Sequence, residues 1–134
     1  MKNNTIVFVI GFLILFTTYG IIFGLFLNDY SMSLIAKYPY VFRNTPSIPI
    51  IALAHSLQTI LLIFLFKKMN VNTLMKGVYS GFIVFLLFEA TFSIFIYATL
   101  SIIPITDILF NIFLSSMIGI IGGGSIGFLL GKFN

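Results

Sequence analysis

Residues 77–100 read GVYSGFIVFLLFEATFSIFIYATL, an apolar run with one carboxylate, Glu89, near its middle. About 20 apolar residues are enough to cross the hydrocarbon of a bilayer as a helix. Glu89 is the only acidic side chain inside any hydrophobic run of the chain. A carboxylate at bilayer depth costs several kcal/mol unless it is paired, neutralised or turned to water, so its position calls for a partner.

Three further runs, at about 5–27, 48–66 and 108–130, have the same character as 78–100. Of the 134 residues 60% are hydrophobic and 7% charged, and the mean hydropathy is +1.17. A soluble domain of this size does not carry so much apolar surface, because its outside must be wetted. Little chain is left between the runs. The sequence therefore predicts one integral membrane domain over 1–134, all-α, a four-transmembrane-helix bundle. The first run is not read as a cleaved leader, since its apolar core exceeds the usual length of about 7–15 residues and no small-residue cleavage site follows.

There is no cysteine, which excludes disulfides, thiolate catalysis and cysteine metal sites. With one histidine, no metal site and no cofactor are expected. The net charge of +4 comes from scattered basic residues that form no stripe, so no nucleic-acid partner is expected. The 17 phenylalanines are read as packing and lipid-facing bulk. Lys2, Lys67, Lys68, Lys76 and Lys132 fall on one side of a four-span chain, Lys37 and Arg43 on the other. The positive-inside rule then sets both termini in the cytoplasm. The long outer connection 28–47 carries Tyr30, Tyr38, Tyr40 and Phe42. It reads as an interfacial aromatic belt with a short surface helix near 31–37, or as a lid over a site.

Depth can be counted at about 1.5 Å per residue. Glu89 lies 11 residues in from Val78, and His55 lies 11 residues in from Phe66. Because a short inner connection makes the second and third spans antiparallel neighbours, both groups are expected at about 17 Å from the inner interface. Thr17 in the first span and Ser116 in the fourth reach a similar depth. Glu89, His55, Gln58, Thr17, Ser93 and Ser116 thus form a candidate polar layer for a ligand or proton, with Thr59 beside His55. Groups buried in hydrocarbon gain most by bonding one another. A His–Glu lock that only fixes helix register is the structural alternative.

Gly119, Gly123, Gly127 and Gly131 recur every fourth residue in SSMIGIIGGGSIGFLLGKFN, residues 115–134. Gly20 and Gly24 repeat the GxxxG spacing in the first span, and Gly77 and Gly81 in the third. Such faces let helices approach closely. Packing of the first span on the fourth is the expected match, with a homodimer through the fourth as the alternative. The GGG triplet is not a phosphate loop, since it follows no strand and no lysine–serine pair follows it.

The chain resembles two loosely related groups of uncharacterised bacterial four-helix membrane proteins. In one, a first span ends in an acidic residue and tyrosine, a third carries tyrosine-aspartate-x-threonine-asparagine, and a fourth opens with aspartate. The matching stretches are Asp29-Tyr30, Phe88-Glu89-Ala90-Thr91-Phe92 and Thr106-Asp107. Glutamate stands for the aspartate, and phenylalanine for the tyrosine and the asparagine. The other group has a second span like LAHSLQTILLIFLFKK and a last span like IIGGGSIGFLLGK. The resemblance implies four spans, a bacterial cytoplasmic (inner) membrane and a role for Glu89 and Asp107. It implies no activity.

Three functions compete. The favoured expectation is binding or transport of a proton, ion or small amphiphile at the Glu–His layer, since carboxylate and histidine relays serve that purpose. The second is a structural or accessory subunit that packs into a membrane complex, or a homodimer, through glycine faces. The third is a lipid-modifying intramembrane enzyme with Glu89 and His55 as acid and base. It has no nucleophile motif in its favour, so no catalytic residue is named and enzyme activity is not the favoured expectation.

Overall fold

Helix α5 (Ile105–Phe133) is the axis of the molecule: 56% of its most apolar window is buried, against 17% in each of the other spans. Around it stand α1 (Lys2–Ile21), α3 (Ile48–Lys68) and α4 (Leu74–Thr99). Each of these four is long and apolar enough to cross a membrane, α1 together with the π-helical turn Ile22–Phe26 that continues it. The fifth helix, α2 (Asn28–Lys37), is short. These elements come from a computed structural model that describes residues 2–101 and 103–133, with Lys2, one of the five lysines counted above, described by its backbone alone.

Local chemistry sets the helix ends. α3 opens with Pro49 in its first turn, where a missing N–H leaves nothing unpaired. It closes on Lys67 and Lys68, which face the negative end of the helix dipole. Asn70 then takes a left-handed conformation (φ 53°), and the Val71 amide bonds back to the Phe66 carbonyl at 2.8 Å. Thr73 caps α4 by accepting the Lys76 amide at 3.3 Å. α4 starts four residues earlier than the sequence suggests, and α5 extends past both expected ends. At 26 and 29 residues they measure about 39 and 43 Å, longer than the apolar core of a bilayer.

Both termini share one face. Asn3 Nδ2 donates to the Phe133 carbonyl at 2.5 Å, and Lys67 Nζ donates to Asn4 Oδ1 at 2.5 Å. This is the terminal face. The opposite, or loop, face carries α2 and the α4–α5 connection.

The tightest packing joins α4 to α5, the third span to the fourth. A methyl placed on Gly77 would strike the Gly123 carbonyl oxygen, and one on Gly81 the Gly119 carbonyl oxygen. From the other side, a methyl on Gly123 would lie 2.6 Å from the Gly81 Cα, and one on Gly127 2.8 Å from the Gly77 Cα. Gly131 ends the row against the Asn72 carbonyl oxygen. In lipid, where no hydrophobic force drives helices together, such backbone approach maximises van der Waals contact. The GGG triplet serves two neighbours of the central helix: Gly122 receives Leu15 of α1, while Gly123 and Gly124 face α4, the latter at Val78.

The expected match of the first span with the fourth through Gly20 and Gly24 does not form. α1 does pack on α5, but through Leu15 and through Gly11, whose added methyl would lie 3.0 Å from Ile126 Cγ1. Nothing comes within 4 Å of a methyl added at Gly20 or Gly24. The buried row of α1 is Val7, Gly11 and Leu15, and it stops there. Beyond it Tyr19, Ile22 and Phe23 are only partly buried against the core, and the helix widens into the π turn.

α3 touches α1 most and barely meets α4, despite the short connection between α3 and α4. Its buried residues are His55, Thr59, Leu62 and Phe66, a row that runs from His55 to the terminal face. Nothing from Ile48 to Ala54 is buried. The bundle is therefore closed at the terminal face and splayed at the loop face.

Candidate functional site

The splay encloses a cavity of about 930 Å³. That is near the upper end for small-molecule sites. Phe16, Tyr19 and Gly20 of α1, with Phe23 and Gly24 of the π turn, form one wall. Ile51, Ala54, His55, Gln58 and Leu61 of α3 form the opposite one. Val84, Phe85 and Phe88 of α4 close part of the third side. Ser31, Met32 and Ile35 of α2 cover the loop-face end. The π turn makes this possible, because its wider helix, closed by the Leu27 amide on the Ile22 carbonyl at 2.8 Å, swings the chain over the mouth.

The walls are apolar and the floor is not. His55 is 6% exposed, and its Nδ1 meets Gln58 Oε1 at 3.1 Å one turn away. Its ring packs against Tyr19, with centroids 4.3 Å apart, and edge-on to Phe16 at 6.0 Å. Tyr19, Gln58 and Ser115 line the same cavity beside His55. Ser115 is itself buried and lines the cavity. Tyr19 of α1, His55 and Gln58 of α3 and Ser115 of α5 therefore meet at one cavity. Among the described residues lining the cavity, none is Lys, Arg, Asp or Glu.

The polar layer expected from depth is only partly assembled. His55 and Glu89 do lie at similar depth, 13 residues from Lys68 and 15 from Leu74, or about 20 and 22 Å from the terminal face. They do not bond each other: His55 turns to α1 and Gln58, and Glu89 Oε1 accepts from Ser93 Oγ at 2.9 Å on its own helix. The reason is azimuth. Glu89 and Ser93 continue the every-fourth-residue row of Gly77, Gly81 and Phe85, which faces α5, while α3 stands off from α4.

Thr17 does not join the layer. It is exposed, and its hydroxyl donates to its own helix at the Leu13 carbonyl, 2.6 Å away. Ser116 is buried but likewise bonds back to the Ile112 carbonyl at 2.7 Å. Thr59 bonds the His55 carbonyl at 2.7 Å and seats its methyl group near Gly11. These hydroxyls satisfy themselves within a turn, as serine and threonine do on helices.

Tyr19, the hub of the floor, was not singled out in the sequence. The signal was there: it follows Val7, Gly11 and Leu15 at four-residue spacing, so the buried face of α1 delivers it to the bundle. Among the described residues, no group of three or more His, Cys, Asp or Glu side chains could hold a metal.

At the loop face, Tyr30 of α2 packs edge-on against Phe110 of α5, with centroids 5.8 Å apart. Its hydroxyl is buried without a partner in hydrogen-bond geometry. Desolvation, then the nearby Asp107 carboxylate, raises the Tyr30 pKa above the ordinary 10.0. Of the aromatic belt, Tyr40 is fully exposed and Tyr38 stacks loosely on Phe42, whereas Tyr30 pins α2 over the cavity.

Comparison of the chain with protein-family models, with curated proteins and with solved structures finds no match.

Proposed function

We propose that this protein binds, and in doing so carries or presents, a small amphiphile within the membrane. The observation that carries the reading is the cavity between α1 and α3, apolar on its walls and lined by His55, Gln58, Tyr19 and Ser115 at its floor. Binding sites for small molecules combine that kind of apolar enclosure with a few convergent polar groups. An ion or proton path through a Glu–His pair has less support, because Glu89 is spent on Ser93 and does not line the cavity. The accessory-subunit reading also loses ground, since the glycine row of α5 is filled by α4 and by Leu15 rather than offered to a partner.

The same proposal sets both termini in the cytoplasm of a bacterial inner membrane. The support is that five of the seven basic residues belong to the terminal side of the chain. The cavity mouth under α2 then faces outward.

The test is lipid carried through purification. Mass spectrometry of organic extracts should find a retained amphiphile near one per chain in the wild type. Gly20→Leu, which places a side chain in the cavity, should lose it while keeping the fold. Equal retention in both proteins would sink the reading. Proton flux in liposomes, unchanged by Glu89→Gln, should separate amphiphile binding from proton transport.

A further inference from the structure

We infer that the cavity selects an uncharged amphiphile, whose hydroxyl or carbonyl oxygen docks at the His55–Gln58–Tyr19–Ser115 floor and whose apolar body lies along the bare wall of Gly20 and Gly24. This rests on the reading of the cavity as a ligand site and names the chemistry that site accepts.

Three observations carry the inference. First, His55 is more than nine-tenths buried, and among the described residues its ring is hydrogen-bonded at Nδ1, to Gln58. The second nitrogen has a ligand oxygen as its natural partner, because a polar group in hydrocarbon gains by finding one. Second, no lysine, arginine, aspartate or glutamate is among the described residues lining the cavity. A charged head would enter a low-dielectric space with no counter-charge in its wall, the arrangement that membrane interiors most disfavour. Glu89, the nearest acid by sequence depth, is held by Ser93 outside the lining.

Third, Gly20 and Gly24 carry no helix packing at all. Glycine is a poor helix former, so two glycines on a face that packs against nothing need another reason. The volume they leave free is that reason: larger side chains at these positions would occupy the cavity they line. The route in is lateral. Leu57, Leu61 and Phe88 line the cavity and are also 60%, 40% and 63% exposed, on the two helices that barely touch. A molecule dissolved in the bilayer reaches the floor between α3 and α4 without passing through water.

The chain has no tryptophan, so Phe88→Trp gives a single optical reporter on the lateral opening. In nanodiscs this protein would be titrated with four quenchers of equal chain length: ω-bromododecanol, ω-bromododecanoate, ω-bromododecyltrimethylammonium and bromododecane. The double variant with Gly20→Leu supplies the background from quencher dissolved in lipid. The expected result is saturable quenching by the alcohol, about fivefold weaker for the alkane that lacks the oxygen. The anion and the cation should be at least about tenfold weaker than the alcohol. All saturable signal should vanish with Gly20→Leu. Equal or tighter binding of either charged probe, still abolished by Gly20→Leu, overturns the uncharged-head inference and leaves amphiphile binding standing. An alkane that binds as well as the alcohol overturns recognition at the floor. Absence of saturable quenching by all four overturns both readings.

Discussion

The α4–α5 seam and the α1–α3 cleft are built from the same sequence signal and put it to opposite uses. Gly77 and Gly81, like Gly20 and Gly24, are glycines four residues apart in an apolar helix. In the seam, backbone from the facing helix fills the space each glycine leaves. In the cleft nothing fills it, and the space belongs to a cavity. A small-residue face thus states that volume is missing from a helix, and the rest of the bundle decides whether protein or ligand takes it up.

The sharpest way to break that contrast is to insert the same side chain on both sides. Gly123→Leu puts its first carbon against the Gly81 Cα and the Gly77 carbonyl, backbone atoms that cannot swing aside. The expected loss is at least about 3 kcal/mol, or failure to fold, read from unfolding in mixed detergent. Gly20→Leu should retain the wild-type melting behaviour. If the two variants melt alike, the distinction between seam and cleft is wrong.

Large-to-small changes sharpen it from the other side. Leu15 is fully buried where α1 meets Gly122, whereas Leu57 on the cleft rim is 60% exposed. In lipid the transfer term for a leucine is small, so the cost of Leu15→Ala is mostly lost packing, about 1–3 kcal/mol. Leu57→Ala should stay within about 0.5 kcal/mol. Gly20→Ala goes in the other direction. With open space around the new methyl, better helix propensity should raise stability by up to about 1 kcal/mol. A melting point lowered by this change would mean that the site is packed after all.

Much of the fold was legible, for a simple reason: length and hydropathy alone decide whether a segment crosses a bilayer. The four spans, the similar depth of His55 and Glu89 and the pairs His55–Gln58 and Glu89–Ser93 follow from counting along single helices. What needed the structure was azimuth. In a soluble bundle the polar stripe tells which face is outside. Here Phe64 faces outward and Phe66 inward with the same chemistry, so hydrophobic period carries no sign. That is why His55 was paired with Glu89 across helices that stand apart, and why Tyr19 was passed over. The glycines of α1 and of α5 were indistinguishable for the same reason.

Glu89 tests how far the seam depends on polar bonds. Among the described residues its hydrogen bond runs from Ser93 on the same helix, and a glutamine carbonyl can accept that bond equally well. Glu89→Gln should therefore change stability by no more than about 0.6 kcal/mol, the usual scale for such bonds in membranes. A loss several times larger, measured beside Gly123→Leu in the same detergent, would mean that the carboxylate holds α4 against its neighbours and that glycine packing is not sufficient.

The smallest expected effect lies where the two regions meet, at Tyr30 on the lid of the cleft and Asp107 at the start of the seam helix. Desolvation, and then the Asp107 charge, raises the Tyr30 pKa above 10.0, so the folded protein holds the phenol proton more tightly than the unfolded chain does. The stabilisation from this difference is complete below the unfolded value and is lost as pH rises through the folded one. Stability should accordingly fall on the alkaline side of pH 10.0, and Tyr30→Phe should flatten that part of the slope. The ring contact with Phe110 survives this change, and the buried hydroxyl has no partner to lose, so stability at neutral pH should be unchanged or slightly higher. Asp107→Asn separates the two causes: it removes the charge and leaves the burial, so the slope should shrink without disappearing. A slope identical in all three proteins would mean that the phenol is as free in the fold as in the unfolded chain, and that α2 is not pinned to α5 over the cavity.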